Sequence, residues 1–214
     1  MQRFVRGVGF GAALLAAALA TACLGGSAAP RFYTLSPASG AAAGPPLASL
    51  PELGLVVGPL EFPRYLDRPE VVTRDGSHRL IVLDAHRWGG SLRSDILRVL
   101  ADDLGRLLGT PRVVIYPSEP RFPASWRILL DVREFEGEPG AKVTLRARWT
   151  LVSVADGHAA IIESAEFEEP TASGSVEDLV GAENRALGAL GRQIAERIAT
   201  LSSSPAPAPQ ARGY

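Results

Sequence analysis

Residues 143–154, VTLRARWTLVSV, alternate between two kinds of side chain. Val143, Leu145, Ala147, Trp149 and Leu151 are apolar, and Thr144, Arg146, Arg148 and Thr150 between them are polar or charged. A period of two puts each set on its own face of an extended strand. The segment therefore fits a sheet that is covered on one side and wet on the other, with its register held by the apolar face. The rest of the chain has to supply neighbouring strands and an apolar cover.

Neighbouring strands are visible on both sides. Trp126 to Phe135 sets Trp126, Ile128, Leu130 and Val132 on one face, and Ala160 to Phe167 follows an Asp156-Gly157 turn. Upstream, strands are expected at Arg31 to Leu35, Gly54 to Leu60, Glu70 to Arg74, Leu80 to Asp84 and Val113 to Tyr116, with a second hairpin turn at Asp75-Gly76. The cover comes from two helices. Between Ser91 and Leu108, Leu92, Ile96, Val99, Leu100, Leu104 and Leu107 recur at helical spacing, with Ser91 placed to cap the start and Gly109 to end it. A second stripe follows Ser175: Val176, Leu179, Val180, Leu187, Leu190, Ile194, Ile198 and Leu201, with Asp178 in a capping-box-like position. The fold class expected is α+β, a mainly antiparallel sheet with two amphipathic helices packed on one face.

The first residues carry a different pattern. Arg3 and Arg6 precede an uncharged, Ala- and Leu-rich stretch from Gly7 to Ala22, shorter than the roughly 20 residues a membrane-spanning helix needs. Small residues Ala20, Thr21 and Ala22 then lead into Cys23, the chain's only cysteine. Charge, length, small residues and cysteine together outline a bacterial lipoprotein signal, with Cys23 as the attachment point of a covalent lipid. An ordinary secretory signal or an uncleaved anchor is the alternative. Two or three acyl chains hold a protein durably where one binds only marginally. The organisation expected is a signal peptide at 1–22, a tether at 23–30, the folded domain at 31–201 and a disordered Pro/Ala-rich tail at 202–214. Ser36 to Leu50 reads as a flexible loop.

Signs of catalysis are sparse. A formal net charge of −1, with Lys142 as the only lysine and no basic run, gives no footprint for nucleic acid. One cysteine excludes an intramolecular disulfide and a multi-cysteine zinc site. His78, His86 and His158 show no metal-ligand spacing, and neither a nucleophile elbow nor a phosphate loop is present. No metal and no cofactor beyond the lipid on Cys23 is expected. The adjacent pairs Asp102/Asp103 and Glu168/Glu169 read as solvated surface charge, since neighbouring side chains diverge. One loop fits a binding role. Pro63, Arg64, Tyr65, Leu66, Asp67 and Arg68 form a stiff, Pro-bounded segment rich in interface-type residues. The other reading is a plain turn, with Asp67 paired to Arg64 or Arg68 and with Tyr65 and Leu66 covering the core edge.

Several of these pieces together resemble one family, the ABC-type transport auxiliary lipoproteins, which include paraquat-inducible protein C and its relatives. They are Cys23, RFYTLSP at 31–37, VGPLEFPRYLDRPEVVTR at 57–74, Arg87-Trp88, ILRVLADDL at 96–104, WRILLDVREFEG at 126–137 and LRARWTLV at 145–152. Gly89-Gly90-Ser91 stands where the family often has Ala-Glu-Pro. The resemblance implies a non-enzymatic role beside a transporter built from a mammalian-cell-entry (MCE) domain protein, a permease and an ATPase, moving lipids between membranes. It implies anchoring on the periplasmic face of the outer membrane rather than at the inner one, and a possible ring of identical copies. Alternatives are a periplasmic lipid carrier with an internal cavity, a general outer-membrane assembly lipoprotein, and a lipid-anchored hydrolase with an unrecognised Ser/His/Asp set.

Overall fold

The computed structural model describes residues 29–37 and 44–203. The proposed signal peptide, Cys23 and residues 204–214 lie outside the described residues. Chain order is β1 (Arg31–Tyr33), β2 (Leu55–Glu61), β3 (Glu70–Asp75), β4 (Arg79–Trp88), α1 (Leu92–Leu108), β5 (Val113–Ile115), β6 (Trp126–Gly137), β7 (Lys142–Ser153), β8 (Ala159–Pro170) and α2 (Val176–Ser203). The class is α+β, with the strands divided between two mixed sheets. One runs β1-β4-β3 and the other β5-β2-β6-β7-β8.

β7 behaves as its alternation requires. Val143, Leu145, Ala147, Trp149 and Leu151 are all buried, whereas Arg146 and Arg148 are exposed. It pairs antiparallel with β6 on one side and β8 on the other. On the wet face Arg146 bridges Glu134 of β6 at 2.8 Å and Glu166 of β8 at 2.7 Å, and the two carboxylates hold its guanidinium pKa above the ordinary value. β2 departs from the antiparallel pattern and lies parallel to both β5 and β6. The chain between β2 and β5 passes through the β3-β4 hairpin and α1, and a crossover of that length permits parallel pairing. The other parallel pair is β1 with β4.

Both helices pack on the five-stranded sheet and on each other. The expected stripe of α1 is buried, and Leu97 and Leu108 join it. Ser91 caps α1 by accepting from the Ser94 amide, and Gly109 closes it at φ 61° with its own amide donating to Gly105. In α2 the expected capping box is completed through a third residue. The Asp178 amide donates to Ser175 Oγ at 3.1 Å, the Ser175 amide donates to Ser173 Oγ at 3.1 Å, and the Ser173 hydroxyl reaches the Asp178 carboxylate.

Residues 44–50, expected as part of a loose loop, are pinned instead. The amides of Leu47 and Leu50 donate to the carbonyls of Leu107 and Leu108, both at 2.8 Å. Those carbonyls have no partner inside α1, so the passing segment supplies the donors that a helix end lacks. Helix α2 also runs to Ser203 and so takes in the first two residues of the expected tail.

The strap over the end of α1 leaves no room at its cap. A Cβ added to Gly109 meets Ala48 O and Ser49 Cα, both at 3.0 Å, in a left-handed conformation that side chains resist. Gly109→Ala should therefore lower unfolding free energy by about 1–3 kcal/mol. Gly90→Ala, where a Cβ meets nothing within 4 Å, should stay within about 0.5 kcal/mol of the parent. Urea titration of the two variants measures the difference.

Candidate docking surface

The segment from Pro63 to Arg68 begins where β2 ends. Its turn is closed by backbone bonds: Leu66 N–H to Pro63 O at 3.0 Å, Asp67 N–H to Arg64 O at 3.3 Å and Arg68 N–H to Leu66 O at 2.9 Å. The Trp88 amide then donates to Pro69 O at 2.7 Å, which seats the exit of the loop on β4. All six residues therefore share one ordered turn, but they do not share one surface.

Leu66 is buried in the core, and Tyr65 is half-buried behind it. Asp67 pairs with Arg93 of α1 at 2.9 Å rather than with Arg64 or Arg68. Arg93 can hold both ends of the loop because it also donates to Leu60 O and lies 5.6 Å above the Phe62 ring. Arg68 binds Glu70 at 2.9 Å. Among the described residues the exposed guanidinium of Arg64 has no ion-pair partner. The turn thus presents Arg64, Asp67 and Arg68 outward and uses Tyr65 and Leu66 to fix their position.

Behind the turn lies a buried polar junction that the sequence reading missed. β2 pairs with β6 only as far as Glu61 and Asp131, and β6 continues to Gly137. On this unaccompanied stretch the Phe135 amide donates to the carboxylate of Glu136 at 2.9 Å. Glu136 is only 1% exposed. It accepts from the Tyr65 hydroxyl at 3.1 Å and from the Arg74 guanidinium of β3, and Arg74 also stands 3.8 Å from Glu134. Burial and the adjacent Glu136 charge push the Tyr65 hydroxyl up to about 12, so it remains a donor at neutral pH. Burial alone would lower the Arg74 pKa, but Glu136 more than offsets that and the net shift is upward.

Glu183 of α2 is likewise buried, with its Oε2 meeting no hydrogen-bond partner. Burial first, and the charge of Glu136 second, raise its carboxyl pKa well above the ordinary value. A signal for it existed: Glu183 sits four residues from both Leu179 and Leu187, inside the apolar stripe. The acid pairs expected on the surface divide. Glu168 and Glu169 are matched by Lys142 and Arg185, whereas Asp103 is buried on α1 with Arg106 at 3.6 Å.

The histidines lie apart. His86 is hydrogen-bonded to Tyr33 at 2.8 Å and stacked on its ring, while His78 and His158 are exposed near hairpin turns. Among the described residues no three His, Cys, Asp or Glu side chains gather as a metal site, and no helix is long and apolar enough to cross a membrane.

The buried Glu183 carboxyl makes stability depend on pH. Its folded pKa is raised, so the stability it permits is full below the ordinary carboxyl value of 4.5 and is lost as pH climbs toward the folded value. Unfolding free energy should fall over that window with a slope approaching about 1.4 kcal/mol per pH unit. Glu183→Gln should flatten the slope and be more stable than the parent at pH 8. Parallel pH profiles for the two proteins would contradict this assignment.

Comparison with known proteins agrees with this fold. A family model described as the ABC-type transport auxiliary lipoprotein component matches residues 33–195. No curated protein matches the chain. A crystal structure of a Xanthomonas campestris protein superposes with a TM-score of 0.65 at 15% identity, covering 80% of this chain and 96% of that one. A crystal structure of an uncharacterized protein gives 0.64 at 18% identity, covering 79% and 99%. At these identities the likeness speaks for the fold. A PelC dodecamer from Paraburkholderia phytofirmans is more remote, with a TM-score of 0.40 at 13% identity and coverage of 69% and 92%. The family match spans most of the described residues, and the chain belongs to the ABC-type transport auxiliary lipoprotein component family.

Proposed function

We propose that this protein is a non-catalytic, lipid-anchored subunit that docks the periplasmic MCE assembly of an ABC-type lipid transport system at the outer membrane. The anchor is Cys23, preceded by the signal-like residues 1–22. The partners are the MCE-domain protein and, through it, the permease and ATPase. Family membership supports the transport role.

The observation that carries docking is the construction of the Pro63–Arg68 turn. Leu66, the Tyr65–Glu136 bond and the Asp67–Arg93 pair hold it from behind, and Arg64 projects with its charge unmatched. A rigid loop loses little conformational freedom on binding, and an unpaired arginine gives up no internal partner. Charges of this kind select partners and speed encounter more than they add raw affinity. The interior offers less support for a lipid carrier. Trp149, Phe135, Leu100, Leu104, Leu187 and Ile194 are all fully buried in the core that a ligand would have to enter.

Charge reversal tests the docking face. Full-length Arg64→Glu and Arg68→Glu variants should unfold like the parent but capture the MCE-domain protein from detergent-solubilised membranes about tenfold less well, a loss of about 1.4 kcal/mol. Unchanged capture by the double variant would remove this loop from the interface.

A further inference from the structure

β1 is one of the two edge strands of the three-stranded sheet, and it displays a large aromatic side chain to solvent. Phe32 is 65% exposed, against 64% for Ile162 of β8. Nothing in the packing of β1 requires it. Tyr33 beside it turns toward the core and bonds His86, and Phe32 lies opposite Arg87 in the β1–β4 register. Arg31 has no ion-pair partner among the described residues, and Arg87 and Arg68 share the single carboxylate of Glu70 at 3.7 and 2.9 Å. An exposed ring in register with Arg87, where Arg87 and Arg68 share one acid, is a combination that suits the boundary between acyl chains and phosphate headgroups.

The chain itself says which surface lies near. Phe32 follows Cys23 by nine residues, a length that spans at most about 30 Å at full stretch. A domain of this size is about 40 Å across. If Cys23 carries the lipid, the tether keeps β1 within about 30 Å of the bilayer, less than the width of the domain. We infer that Phe32, with Arg87 across from it, is a second membrane contact that seats β1 in the headgroup region and orients the domain on an anionic lipid surface. This rests on the lipid-anchor reading of Cys23 and adds an orientation to it. Arg68 and Arg87 both bind Glu70, so the Pro63–Arg68 turn borders this membrane-facing edge.

Lipidation makes the test clean, because it consumes the only native thiol. Full-length Phe32→Cys and Ile162→Cys proteins, purified from bacterial membranes, would be labelled with an environment-sensitive thiol dye. They would then be placed in phosphatidylethanolamine/phosphatidylglycerol vesicles carrying brominated acyl chains. The expected result is one label per chain in both proteins, with blue-shifted and quenched emission at position 32 and water-like, unquenched emission at position 162. Equal quenching at the two positions, whether strong or weak, with one label per chain, overturns the membrane contact and leaves the anchor intact. Two labels per chain show that Cys23 is a free thiol, which overturns the anchor and this inference together.

Discussion

The early end of β2 is the constraint on which the rest of the structure depends. β6 runs on to Gly137 after β2 has left it at Glu61, and a strand edge cannot remain buried without hydrogen-bond partners. Glu136 meets the Phe135 amide, but a buried carboxylate is costly unless it is paired. Arg74 supplies the pairing charge from β3 of the other sheet, and Tyr65 supplies a hydroxyl from the intervening loop. One local deficit in the ladder thus ties the two sheets and the candidate docking turn into a single unit.

The same junction explains why the turn is suited to recognition. Its inward residues are committed to the core and to Glu136, and Asp67 is committed to α1 through Arg93. What remains outside is held by contacts to β6, to α1 and to β4. Within the five-stranded sheet, β7 divides its labour in a similar way. Its apolar set packs under the helices, and its arginines face water in a ladder with Glu134 and Glu166. Glu134 stands in both networks, 2.8 Å from Arg146 and 3.8 Å from Arg74.

Much of this fold was legible because its signals are local. The alternation of β7, the stripe of α1, the Ser91 and Gly109 caps and the glycines of both hairpin turns require only neighbouring residues to be read. The division into two sheets was not, because Leu55, Val56 and Val57 are buried alike and a short, wholly apolar run does not name its partners. The candidate site shows the same limit. Six residues in one stiff turn could be read from two prolines, but Asp67 finds Arg93 at a separation of 26 residues and Tyr65 finds Glu136 at 71. Pairings at that range follow from the topology, so the inward and outward members of the turn could not be told apart beforehand.

The claim that the Arg74–Glu136 contact joins the sheets and seats the turn is tested most directly by a double-mutant cycle in equilibrium unfolding. Arg74→Met alone leaves a buried carboxylate without its cation and should cost about 3–5 kcal/mol. Adding Glu136→Gln removes the stranded charge and should recover most of that loss, which gives a coupling energy well above the scatter of independent sites. A single variant within about 0.5 kcal/mol of the parent, or losses that simply add, would contradict the account.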